Sequence, residues 1–92
     1  MKIDFDPEKS KKNTRERKLP FEQAAEFDWE TAIYVQDDRS EYPEQRFVAM
    51  GYLGDRLHII CFTPVEGGVR VISFCKANPR EVKRYDKETI NK

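Results

Sequence analysis

Leu57 to Thr63 (LHIICFT) is the most continuously apolar run in the chain. A run of that length, bounded by turn signals, fits a strand buried on both faces. Gly54-Asp55 ahead of it is a two-residue turn of the kind that closes a tight hairpin. Before that turn, Arg46 to Leu53 alternates Phe47, Ala49 and Gly51 with Val48, Met50 and Tyr52, the two-residue period of a strand. Behind the run, Pro64 to Gly68 (PVEGG) is a second turn, and Val69 to Cys75 is a further strand. Turns this short join antiparallel neighbours. The centre of the fold is therefore an antiparallel meander with Leu57–Thr63 as its central strand.

The flanks supply the helices. Lys2 to Phe5 reads as an edge strand. Asp6-Pro7-Glu8 then starts a helix: a cap, a proline suited to the first turn, and an acid at the positive end of the dipole. That helix runs to about Arg17 with almost no apolar stripe, so it must pack weakly or lie along something polar. Lys9, Lys12, Asn13 and Arg17 fall near one of its faces. Pro20 opens a second helix, Phe21 to about Asp28, with Phe21, Ala24 and Ala25 inward. Thr31 to Gln36 (TAIYVQ) is β-branched and aromatic, a strand, and Asp37 to Glu44 is a polar loop. Asn78-Pro79-Arg80-Glu81 offers a cap, a first-turn proline and a capping-box glutamate for a last helix. Val82 and Tyr85 face inward there. The order β-α-α-β-β-β-β-α defines an α+β domain spanning residues 1–92, an antiparallel sheet with two N-terminal helices and one C-terminal helix.

Function is constrained mostly by what is missing. The sequence holds no GxGxxG, P-loop, CxxC or plausibly spaced Ser-His-Asp set. Its one histidine, His58, sits inside the central strand and reads as a core or sheet-face residue. Cys61 and Cys75 lie in strands without a ligand cluster, so they read as buried reduced thiols rather than a zinc site. Asp37, Asp38, Glu41 and Glu44 read as an acidic loop rather than a magnesium site. No apolar segment is long enough to span a membrane, and the N-terminus lacks a signal-peptide core, which makes the cytoplasm the expected location.

What remains is cationic. The chain balances 17 Lys/Arg against 17 Asp/Glu, but unevenly. Residues 21–45 carry one Lys/Arg against eight Asp/Glu, while residues 69–92 carry seven against three. In Val69–Tyr85 an apolar strand meets a basic helix, and Arg70, Lys76 and Arg80 crowd the join, a place for a phosphate. RNA is cleaved without metal by in-line attack of a 2′-hydroxyl on the adjacent phosphate. That chemistry needs cations on the phosphate and a proton-transfer group. Arg46, Arg70, Lys76 and Arg80 suit the first role and Glu81 or Tyr85 the second. Alternation along the last strand would place Arg70, Ile72, Phe74 and Lys76 on one face.

These residues fall in a recognisable order. The chain carries Asp6-Pro7-x-Lys9 with Asn13, Phe21-Glu22-x-Ala24, Trp29-Glu30-Thr31-Ala32 and Glu44-x-Arg46 followed by Gly51. After these come Gly54-x-Arg56-Leu57, Phe62-Thr63, Arg70-x-Ile72-Ser73 and Lys76-Ala77-Asn78-x-Arg80-Glu81-Val82-x-Arg84-Tyr85. This set resembles the BrnT family of type II toxin–antitoxin ribonuclease toxins. The resemblance implies a RelE-like fold and cleavage of mRNA without cofactor or metal. It implies a BrnA-type antitoxin partner and contact with DNA only through that antitoxin. The catalytic candidates are then Arg46, Arg70, Lys76, Arg80, Glu81 and Tyr85, with Lys9, Asn13 and Arg17 holding the RNA backbone.

Three positions depart from the family pattern. Glu16-Arg17-Lys18 stands where Lys-His-Gly is usual, Val65 where an arginine is common, and Cys75 where the last strand usually carries arginine. A second reading follows: a weakened or inactive toxin homologue that binds an antitoxin and modulates its operon. A third, a nucleic-acid-binding module with no toxin role, is disfavoured by zero net charge and by the lack of exposed aromatic repeats.

Overall fold

A computed structural model describes residues 1–90 of the 92. Five strands form one sheet: β1 (Lys2–Phe5), β2 (Ile33–Gln36), β3 (Phe47–Leu53), β4 (Arg56–Val65) and β5 (Gly68–Lys76). Their spatial order is β1-β5-β4-β3-β2. The apolar run is thus the middle strand, with Leu57 through Thr63 all buried. β2 through β5 form the expected antiparallel meander. The sheet is nevertheless mixed rather than antiparallel, because β1 pairs parallel to β5, Lys2 opposite Gly68 and Phe5 opposite Val71. That pairing spans most of the chain and leaves no local mark in the sequence.

Two helices flank the sheet, α1 (Pro7–Arg17) and α2 (Pro79–Ile90), with a 3₁₀ helix over Phe21–Glu26 in place of the longer second helix expected. Asp6 caps α1, accepting from the Glu8 N–H at 3.0 Å. Asn78 and Glu81 form the capping box of α2, each side chain accepting from the other's N–H at 2.8 Å.

The two faces of the sheet bury separate clusters. On one, Leu19, Phe21, Ala24 and Phe27 pack against Ala49, Ile60, Phe62, Val69, Val71 and Phe74. On the other, Tyr85 and Ala77 pack against Ile33, Met50, Leu57 and Ile59, with Val82 and Cys75 at the margin. Burying a side chain such as Phe74, fully enclosed, contributes about 2–3 kcal/mol. α1 docks through polar groups instead. Its buried residues are Ser10 and Asn13. Ser10 Oγ donates to Glu22 and accepts from the Phe21 N–H. Asn13 Nδ2 donates to the Leu19 carbonyl at 2.7 Å and to the Phe74 carbonyl at 2.9 Å. A helix without an apolar stripe is held by satisfied buried hydrogen bonds.

β5 carries one irregularity that changes the site. Phe62 pairs with Val71 but Cys61 pairs with Ser73, so Ile72 is an extra residue, a β-bulge. Past it the facing of the strand inverts. Val69, Val71 and Phe74 therefore share one core. Arg70 and Lys76 lie on opposite faces, against the expectation from strict alternation.

Candidate nucleic-acid interface

α2 covers only one half of its sheet face. Beyond it, the loop between β2 and β3 covers Cys61 and Thr63, while Arg70 and Ser73 on β5 are exposed. The Asp37 N–H donates to the Arg46 carbonyl at 2.8 Å, which closes the loop's two ends. Asp37 is itself fixed: Arg39 donates to both of its oxygens, at 2.7 and 2.8 Å. This hydrogen bonding holds the Asp37 carboxyl down at about 2. The side chain sits over Cys61, whose thiol is pushed up chiefly by burial and then by the Asp37 charge. Thr63 anchors the loop from below, its hydroxyl donating to the Gln45 carbonyl.

Arg46 emerges from this scaffold. Its Nε donates to Glu44 Oε1 at 3.1 Å, and its guanidinium lies 4.0 Å from the centroid of the Tyr42 ring. Arg70 is held from the opposite side. Asp4, its register partner on β1, accepts from Arg70 Nε at 2.9 Å, and that hydrogen bond keeps the Asp4 carboxyl below its ordinary value. Arg46, Arg70 and Lys9 line one cleft of about 710 Å³, with Thr63, Val65 and Ile72 among its other walls. The cleft continues along the seam between α1 and β5. Lys9, Lys12, Asn13 and Arg17 line a hollow with Ile72 and Ser73, and Arg17 lines another with Cys75 and Lys76. Arg17 is steadied by Asn13 Oδ1 at 3.0 Å. The result is a band of cations, Arg46, Arg70, Lys9, Lys12, Arg17 and Lys76, running from the main cleft along α1.

The residues singled out from sequence therefore divide. Lys9, Arg46 and Arg70 meet in the main cleft, and Arg17 and Lys76 extend it. Asn13 lies beneath the band, with its amide donated to main-chain carbonyls. Arg80, Glu81 and Tyr85 lie outside these clefts. Glu81 closes the capping box of α2. Tyr85 is buried, edge-on to Tyr52, with its hydroxyl donating to the Thr31 carbonyl at 3.0 Å. His58 is buried against Phe74, on the sheet face opposite α2, and burial pushes its imidazole below the ordinary value. Among the described residues no three His, Cys, Asp or Glu side chains converge as a metal site would require. Sequence reasoning passed over Glu44, which lines the cleft, and Asp4, which does not line it but holds Arg70. The Glu44-x-Arg46 spacing was a signal for the first; only the parallel register reveals the second.

A mixed five-stranded sheet flanked by helices, with arginine and lysine lining its main clefts, defines a small α+β protein. The profile of the family described as "Ribonuclease toxin, BrnT, of type II toxin-antitoxin system" matches residues 5–81. The chain belongs to that family. No curated protein and no solved structure gives a significant match. Arg17, Val65 and Cys75, the positions set apart in the sequence analysis, line the clefts just described.

Proposed function

We propose that this toxin is an active endoribonuclease that cleaves mRNA in the cytoplasm without metal, with a RelE-like arrangement, and that a BrnA-type antitoxin neutralises it by covering the cationic band. The observation that carries the reading is the meeting of Arg46, Arg70 and Lys9 in one cleft. Each arginine uses Nε to bind a carboxylate, and neither's terminal nitrogens have a partner among the described residues. Those nitrogens are the donors that recognise phosphate. Arg46 and Arg70 would hold the scissile phosphate and stabilise the charge that builds on it. Lys9, Arg17 and Lys76 would bind the flanking backbone. Glu81 and Tyr85 are assigned to α2 and its packing, and Asn13 to the docking of α1. DNA would be reached only through the antitoxin.

The test is incubation of the purified protein with mRNA in excess chelator. Cleavage leaving 2′,3′-cyclic phosphate ends is expected. Intact RNA in the presence of folded protein overturns the reading. Cys75 favours one alternative, since a thiol partly packed under α2 stands where the family carries a cation. In that case the folded protein binds a BrnA-type antitoxin but leaves RNA whole.

A further inference from the structure

Cleavage by 2′-hydroxyl attack needs a base beside the phosphate, and neither candidate named from sequence stands at the cleft. Glu81 is tied to the Asn78 main chain, and Tyr85 is buried beneath α2. Three other side chains at the cleft carry acceptor oxygens. Asp6 accepts from the Glu8 N–H as the cap of α1. The Thr63 hydroxyl is donated to a carbonyl. Glu44 differs from both in being paired with an arginine that lines the same cleft. Oε1 receives Arg46 Nε, while Oε2 has no hydrogen-bond partner among the described residues. The pair is open to a substrate, with the two side chains 39% and 26% exposed.

We propose that Glu44 is the general base of the ribonuclease site; this rests on the ribonuclease reading above. The same contact that orients Glu44 fixes Arg46, so one ion pair would present a proton acceptor and a phosphate donor side by side. In the step, the 2′-hydroxyl proton passes to Glu44 Oε2 as the 2′-oxygen bonds to phosphorus. The bond from phosphorus to the 5′-oxygen breaks, and that oxygen takes a proton from water. Glu44 then returns its proton to solvent, leaving a 2′,3′-cyclic phosphate and a 5′-hydroxyl. No atom or electron is unaccounted for. Charged or titratable groups around Glu44 are Asp37, Asp38, Tyr42 and Arg46 on its own loop and at that loop's ends, Asp6 and Lys9 at the start of α1, and Arg70 on β5.

The experiment compares wild type, Glu44→Gln and Glu44→Asp on an RNA oligonucleotide, together with binding of the same oligonucleotide 2′-O-methylated throughout. Glu44→Gln should lose about 100-fold or more in kcat while binding stays within about threefold. The acid limb of the wild-type pH–rate profile should vanish in Glu44→Gln and persist in Glu44→Asp at reduced rate. Glu44→Gln cleaving within about threefold of wild type, or losing binding in step with cleavage, overturns the assignment. If wild type itself leaves RNA intact, the ribonuclease reading fails and carries this proposal with it.

Discussion

Among the described residues Lys18 is the one non-glycine with positive φ, at 55°. It terminates α1 in the left-handed conformation, its N–H returning to the Thr14 carbonyl at 2.9 Å. A Cβ makes that conformation cost about 1–2 kcal/mol. Lys18→Gly should raise stability by about 1 kcal/mol and Tm by about 4–8 °C, read by thermal melting. Asp37 makes a second prediction. Its carboxyl is held at about 2 against an ordinary 3.8, chiefly by the Arg39 hydrogen bonds. A depressed folded value means the stabilisation is complete above 3.8 and disappears as pH falls toward 2. Urea midpoints of wild type should therefore drop across that interval, and Asp37→Asn should flatten that part of the curve while being less stable at neutral pH. Asn13 marks the limit of reading at this scale. Its place on a cationic helix face suggested RNA contact. Its actual acceptors are carbonyls at Leu19 and Phe74, the second 61 residues away, and no sequence period records such a bond.

Among elements, the meander was legible because its turns are local: Gly54-Asp55 and the Glu66-Gly67 corner each fold within a few residues. The parallel β1–β5 pairing was not, since nothing near Lys2 names Gly68. The bulge at Ile72 was hidden too, because the residues around it alternate well enough to look regular. Together these drew attention to the β5–α2 join, whereas the cleft that Arg46, Arg70 and Lys9 share lies beside the end of β1. Gly68 tests the pairing. A Cβ there would run into the main-chain carbonyl of Lys2, lying 2.6 Å from its carbon and 2.7 Å from its nitrogen. Gly68→Ala should destabilise by about 1–3 kcal/mol and should weaken the hold of Asp4 on Arg70. Chemical denaturation gives the first effect; a fall in RNA cleavage larger than the loss of folded protein gives the second.

At the scale of the molecule, zero net charge conceals a sorted surface. The acidic stretch 21–45 is followed directly by Arg46, at the rim of the cationic cleft, and α1 and β5 bring their basic residues together at one seam. Charge counting along the sequence found an acidic middle and a basic last stretch, and the sheet order β1-β5 is what sets the start of the chain beside that stretch. We place the chemistry at the cleft of Arg46, Arg70 and Lys9 and give the α2 side of the fold a structural role. The most direct test is kcat/KM for one RNA in Arg46→Ala and Tyr85→Phe, measured side by side with both proteins shown to be folded. Removing a phosphate-stabilising donor costs about 100-fold or more. Tyr85→Phe loses one hydrogen bond to Thr31, worth about 1 kcal/mol of stability. Arg46→Ala should therefore fall about 100-fold or more while Tyr85→Phe stays within about threefold of wild type; a large loss in Tyr85→Phe with Arg46→Ala near wild type would contradict the account.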